Sequence, residues 1–247
     1  MALPKSLADE LHKKRARPEL KVMTPPLNNG DQLTREEFER RYHAMPQLKK
    51  AELIEGIVYM PSPVHFEAHG EPHIFFTTWA GVYLASTPGV RAGDNVTVRM
   101  DEHNEPQPDV LLFLDTSVGG KTRISKDDYV EGAPELMVEV AASSASYDLH
   151  IKLPVYQRRR VREYIVWRVY DEELDWFELK GGKYVRLRPD PKGVIRSRVF
   201  PGLWLDGRAL LKGDLARVLA VLQQGLASPE HAAFVKRLAK KATSKKA

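Results

Sequence analysis

Three residues in the middle of the chain have the types and spacing for metal-assisted chemistry. Glu139 lies near the end of "ELMVEV", an apolar stretch in which an ionised carboxylate is costly unless a cation meets it. Asp109 opens a second apolar run, "DVLLFL", 30 residues earlier, and Lys152 follows Glu139 by 13 residues. Two carboxylates at the ends of neighbouring buried strands can share a divalent cation, with water and a phosphate completing its shell. A lysine beside them adds positive charge where negative charge develops. The same residues also fit a plain buried ion pair of Glu139 with Lys152, and an Asp109 that only terminates a strand.

The surrounding elements must bring these residues together. "DVLLFL" (109–114) and "EYIVWRV" (163–169) are continuously apolar, as strands buried on both faces are. In "ELMVEV" the alternation puts Leu136, Val138 and Val140 on one face and Glu135, Met137 and Glu139 on the other. Between the last two strands, "DLHIKLPVYQRR" reads as a helix starting near Asp148, which suits an N-cap better than a ligand. Pro154 falls two residues after Lys152 and predicts a kink there. The run Arg158, Arg159, Arg160, Arg162 is either a solvated helix end or a phosphate contact.

Thr34 and Glu37 have capping-box spacing, so a short helix starts at Thr34. "AELIEGIVYM" (51–60) reads as a strand or part of a hairpin, and residues 66–86, with Ile74, Phe75, Trp79, Val82 and Tyr83, as an amphipathic helix closed by "STPG". "NVTVRM" (95–100) alternates like a strand. Gly181 and Gly182 mark a tight hairpin in "DWFELKGGKYVRL". Two helices follow, one over "DGRALLKGDLARVLAVLQQGL" and one over "SPEHAAFVKRLAKK". In the second, Ser228 is the N-cap, Phe234 and Leu238 form an apolar stripe, and Lys236, Lys240 and Lys241 face solvent. A single α/β domain with a mixed sheet accounts for this order.

The 247 residues contain no cysteine, which excludes disulfides, thiolate nucleophiles and Cys-based zinc sites. No run approaches the ~18 apolar residues of a membrane span, so a soluble, cytoplasmic protein is expected. The net charge of +5 is confined to residues 229–247, and the remainder balances at 32 basic and 32 acidic residues. Charge alone therefore gives little support for nucleic-acid binding. The first 31 residues, including "TPPLNNGD", read as an extended or loosely attached arm.

Taken in order, "AELIEGIVYMPSPVHFEAHG", "QPDVLLF", "APELMVEV", "YDLHIKLPVYQRRRVREYIVW" and "FPGLWLDG" resemble the Uma-two family of restriction-endonuclease-like proteins, in the PD-(D/E)XK nuclease superfamily. The resemblance implies a restriction-endonuclease-like mixed sheet flanked by helices, with extra N-terminal strands and C-terminal helices. The match runs from about residue 48 to 207, and with the pattern of the rest of the chain the expected organisation is an arm at 1–31, a nuclease-like domain at 32–207 and a helical extension with a basic tail at 208–247. It assigns metal-binding carboxylates to Asp109 and Glu139, with the Val140 carbonyl as a further ligand and Mg²⁺ or Mn²⁺ as the ion. Ala141 stands where the superfamily motif has its lysine, and that role passes to Lys152. Glu52 and Glu55 match acidic positions before Gly56; lying on opposite strand faces, only one can face the metal, and Glu52 is preferred. His69 matches a His-Gly pair, and Tyr156 is expected to pack with its hydroxyl near the site. "AASSAS" departs from the family's usual Leu-Ser-Pro-Ser-Thr turn.

Two functions follow from this reading. One is a metal-dependent endonuclease acting on DNA in preference to RNA, as a homodimer. The other is a non-catalytic nucleic-acid-binding or interaction protein on a nuclease-like scaffold, since fold alone does not establish activity.

Overall fold

A computed structural model describes residues 24–61 and 63–244. The expected arm lies largely outside the described residues. Its last part is anchored rather than loose: Leu27 is buried, and the Gly30 N–H donates to the Val58 carbonyl.

Helix α1 (Arg35–His43) starts where the capping spacing predicts, with the Glu37 N–H donating to Thr34 Oγ1. A hairpin of β1 (Glu52–Ile54) and β2 (Ile57–Tyr59) follows; Glu55 and Gly56 at its turn have φ of 54° and 77°, the left-handed pair that a two-residue hairpin turn requires. Helix α2 (Glu71–Ser86) is preceded by a π turn, Phe66–Gly70. Next come β3 (Val90–Asp94), β4 (Val98–Arg99), β5 (Val110–Leu114), β6 (Arg123–Ile124), β7 (Val130–Glu131) and β8 (Leu136–Ala141). The strand expected over 95–100 shrinks to β4, because Asn95 turns the chain with φ of 50° and only Val98 and Arg99 pair with β7.

Helix α3 occupies residues 145–158, as an α-helical start (Ala145–Tyr147), a π turn (Asp148–Lys152) and an α-helical end (Leu153–Arg158). It begins three residues earlier than the sequence suggests, so Asp148 is inside the helix and caps nothing. The π turn also absorbs Pro154: the Leu153 N–H reaches back to the Asp148 carbonyl, five residues away. After β9 (Glu163–Arg168), β10 (Glu173–Lys180) and β11 (Lys183–Arg186) form the glycine-turned hairpin.

The main sheet has the order β11-β10-β9-β8-β5-β3; β8 and β9 are parallel and the other neighbours antiparallel. The strand alternation read from "ELMVEV" divides two cores. Leu136, Val138 and Val140 join Val110, Leu112, Ile165 and Trp167 under α2. Met137 and Ala141 lie on the opposite face with Leu111, Phe113, Tyr164, Val166 and Tyr156 of α3. Burying each such large side chain contributes about 1.5–3 kcal/mol, which holds the strands in register where Glu139 must be placed.

The C-terminal part adds β12 (Val194–Arg196), β13 (Trp204–Asp206) and three helices where the sequence suggested two: α4 (Gly207–Leu211), α5 (Leu215–Leu226) and α6 (Pro229–Ser244). The break falls at Gly213, with φ of 72°, and at Asp214, whose Oδ1 accepts the Arg217 N–H to cap α5. Val218 and Leu222 of α5 and Phe234 and Leu238 of α6 pack into the core beneath α2. Lys236, Lys240 and Lys241 are exposed. Among the described residues no helix is long and apolar enough to cross a membrane.

Candidate active site

The β5–β8 register pairs Val110 with Val138, so one step further along the antiparallel ladder Asp109 stands opposite Glu139. Directly opposed residues share a face. Both carboxylates therefore belong to the α3 side of the sheet, with Ala141, small and fully buried, two residues beyond Glu139 on the same face. Lys152 reaches this face from α3. Its ammonium donates to Glu139 Oε1 at 2.9 Å and lies 3.0 Å from Glu52 Oε1 and 3.6 Å from Asp148 Oδ1. The Tyr156 hydroxyl donates to Glu139 Oε1 at 3.0 Å, so both partners use the same oxygen and neither uses Oε2. Glu139, Lys152 and Asp109 are each only 3 % exposed.

One buried ammonium thus faces three carboxyl groups. Burial alone favours the neutral amine at Lys152, but Glu139, Glu52 and Asp148 outweigh it and hold the group charged, well above the usual lysine range. Burial raises Glu139 and Asp148 above the usual carboxylate range, with Lys152 pulling both back. Three carboxyl groups share one ammonium, and burying the surplus is relieved either by keeping a proton on a carboxyl group or by taking up a further cation.

Of the two hairpin acids, Glu52 is turned inward. Its Oε1 also accepts the Gln107 N–H at 2.7 Å, and the Tyr147 hydroxyl donates to its Oε2 at 3.5 Å. Glu55 points outward to Arg158 at 2.7 Å. Arg159 pairs with Asp101 at 3.1 Å and donates to the Met100 carbonyl. Arg158 at the end of α3 and Arg159 just after it therefore tie this helix to the β1–β2 turn and to the segment between β4 and β5, with both arginine side chains still about half exposed.

Asp109 is held from behind. Its Oδ2 accepts the Val140 N–H at 2.7 Å, while Oδ1 is buried without a hydrogen-bond partner. Two potential cations flank Oδ1 beyond hydrogen-bonding distance, His69 Nε2 and Lys50 Nζ, each at 3.6 Å. The His69 Nδ1–H donates to the Val140 carbonyl at 3.2 Å, which turns Nε2 toward Asp109. His73 Nε2–H lies 3.0 Å from the Asp109 carbonyl and 2.7 Å from Asp94 Oδ1.

Asp109, Glu139, Lys152, Glu52, His69, Val140 and Tyr156 all meet in this one region. Sequence reasoning missed Lys50, Gln107, Tyr147 and the placement of Asp148 in the lysine cage. Two of these had a signal: Asp148 and Lys152 are spaced i, i+4 on a helix, and Gln107 alternates with Asp109 across Pro108. Lys50 had none, since it precedes β1 in irregular chain.

Among the described residues no group of three or more His, Asp or Glu side chains converges as a metal cage. The donor set suits an ion that takes one or two carboxylates and completes its shell with water and substrate phosphate, as Mg²⁺ does. The unpartnered Asp109 Oδ1, the unused Glu139 Oε2 and the second lone pair of the Val140 carbonyl fit such an ion.

Among solved structures, one from Anabaena variabilis described as "a putative nuclease belonging to DUF820" is similar, with a TM-score of 0.54 and 11% identity over 70% of this chain and 97% of that one. At that identity the likeness speaks to fold, a nuclease-like mixed α/β architecture. No curated protein matches the chain significantly. The profile of the Uma2 family, described as "Putative restriction endonuclease", matches residues 35–208, well over half of the sequence. The chain therefore belongs to the Uma2 family of restriction-endonuclease-like proteins.

Proposed function

We propose that the protein is a metal-dependent endonuclease that hydrolyses nucleic-acid phosphodiester bonds, those of DNA in particular. The observation that carries this reading is the buried, unpartnered Oδ1 of Asp109 on the same sheet face as Glu139, beside a lysine held charged by three carboxyl groups. Asp109, Glu139 and the Val140 carbonyl would hold Mg²⁺ or Mn²⁺. When bound, the ion supplies Lewis-acid charge to the scissile phosphate and to the attacking water.

The protein's own groups have separate tasks. Lys152 presents a fixed ammonium beside Glu139 that orients the attacking water and offsets charge developing on the phosphate. Glu52, held by the Gln107 N–H, fixes the lysine from the opposite side. Tyr156 orients Glu139, and His69 orients the Val140 carbonyl. Cutting both strands of a duplex calls for two such sites, most simply in a two-fold dimer.

The close pairing and burial of Lys152 favours a second reading, an ion network that only stabilises a nucleic-acid-binding or interaction scaffold. One experiment separates the two. The purified protein is incubated with supercoiled plasmid and with short single- and double-stranded DNA and RNA, in Mg²⁺, Mn²⁺ or chelator. Cleavage that needs metal and is lost in Asp109→Ala and Glu139→Ala establishes the nuclease. No cleavage of any substrate, or equal cleavage by the wild type and both variants, refutes it.

A further inference from the structure

The two lysines of the site differ in a way that the nuclease reading leaves unexplained. The Lys152 side chain is 4 % exposed and held by three carboxyl groups. The Lys50 side chain is 25 % exposed, comes from irregular chain, and approaches Asp109 Oδ1 only to 3.6 Å. Among the described residues its one hydrogen bond is donated to Asn95 Oδ1 at 3.2 Å. A long, solvent-reached lysine with a single hydrogen bond can leave its position by side-chain rotation.

Asn95 is built to hold Lys50 there. It adopts a left-handed φ of 50°, which asparagine tolerates better than most residues. Its backbone N–H donates to the Asp109 carbonyl at 3.2 Å, which fixes the side-chain amide beside that residue. The amide nitrogen donates to Asp94 Oδ1 at 3.1 Å, so the oxygen is left to face Lys50. The turn at Asn95 therefore places an acceptor for the ammonium next to the buried Asp109 oxygen that lacks a hydrogen bond.

We propose that Lys50 is a tethered counter-ion for the metal position. Without metal its ammonium stands beside Asp109 Oδ1; when a divalent ion takes that oxygen, Lys50 turns outward and binds a phosphate of the nucleic acid. The proposal rests on the reading that Asp109 holds the ion. Its physical basis is that an ion in contact with Oδ1 and an ammonium 3.6 Å from the same buried oxygen repel each other at close range. Displacement onto the substrate couples metal loading to phosphate binding, because each frees or uses the same charge.

Lys50→Met keeps the length of the side chain and removes its charge. In the full-length protein without nucleic acid, isothermal titration with Mn²⁺ should show binding about two- to fivefold tighter than wild type, the scale of removing one competing partly exposed charge. In Ca²⁺, binding of a labelled DNA duplex should weaken, and its salt slope should fall by about one counterion. Lys50→Arg should restore duplex binding. Asn95→Gly keeps the left-handed backbone and removes only the holding amide; it should tighten Mn²⁺ binding in the same direction, and it carries the test if Lys50→Met fails to fold.

Unchanged or weaker Mn²⁺ binding in both variants overturns the proposal, as does tighter metal binding with unaltered duplex affinity in Lys50→Met. Asp109→Asn separates this from failure of the nuclease reading. If wild type binds Mn²⁺ and Asp109→Asn does not, an unchanged Lys50→Met rejects the role of Lys50 alone. If none of the proteins binds Mn²⁺, the metal site is absent and the proposal falls with it.

Discussion

Replacing Lys152 by methionine removes one charge and almost no volume from the centre of the site. The ammonium lies within 3.0 Å of Glu139 and Glu52 and 3.6 Å from Asp148, and all four groups are buried. Removing one partner of a buried ionic cluster leaves carboxylates uncompensated, at a cost of about 3–5 kcal/mol. For a chain of this size that corresponds to a fall in Tm of roughly 10 °C. The measurement is urea unfolding with chelator present, where the midpoint should fall and the m-value should not change. Adding Glu139→Gln removes the carboxylate that the lysine meets most closely, so the double variant should recover part of the loss, with a coupling of about 2 kcal/mol. A loss below about 1 kcal/mol for Lys152→Met, together with a coupling near zero, would refute the claim that the carboxylates and the lysine stabilise one another.

Other perturbations test separate parts of the structure. Glu163, at the start of β9, accepts from the Trp176 indole, the Ser197 hydroxyl and the Arg198 and Val199 N–H groups, yet burial pushes it up to about 7. Because that lies above its unfolded value of 4.5, the folded state keeps a proton that the unfolded chain releases, and stability falls as pH rises from about 4.5 to 7, by about 3 kcal/mol. Glu163→Gln should lack this component in urea unfolding between pH 5 and 8, and identical slopes for the two proteins would show that the group is already ionised in the fold. Gly225 in α5 faces β13 so closely that an added Cβ would lie 2.2 Å from the Gly202 carbonyl oxygen and 2.8 Å from Trp204 Cγ. Gly225→Ala should therefore lower stability by about 1–3 kcal/mol despite its better helix propensity, and a rise in Tm would contradict this packing. Deleting residues 240–247 should weaken duplex binding and flatten its salt dependence while leaving cleavage at saturating substrate unchanged; unaltered binding would make the tail solubilising charge only. Double-strand cleavage in one event by a protein that light scattering shows to be monomeric would exclude the two-fold dimer.

Local pattern was enough for most of the elements. Period-two alternation in "ELMVEV" assigned each side chain to the core it occupies, because a strand has only two faces and each was buried. Thr34, Ser228 and the Gly181-Gly182 pair marked helix starts and a hairpin through hydrogen bonds and backbone angles that involve only near neighbours. The opposition of Asp109 and Glu139 was also within reach, since both stand at the ends of apolar strands. What the sequence did not contain was the third dimension of the site. The break at Gly213 and Asp214 and the π turn at Asp148–Lys152 were not legible from pattern, and the start of α3 at Ala145 moves Asp148 from the expected cap into the lysine cage. Strand faces allowed only one of Glu52 and Glu55 to face the metal without selecting between them, and the Glu52 bond to the Gln107 N–H depends on how the hairpin docks across a distant segment. Arg158 and Arg159 read as free cations because their partners, Glu55 and Asp101, are remote in sequence. Lys50 had no periodicity to betray it: its place beside Asp109 depends on a left-handed turn at Asn95, 45 residues away, and contacts of that range exist only once the sheet has formed.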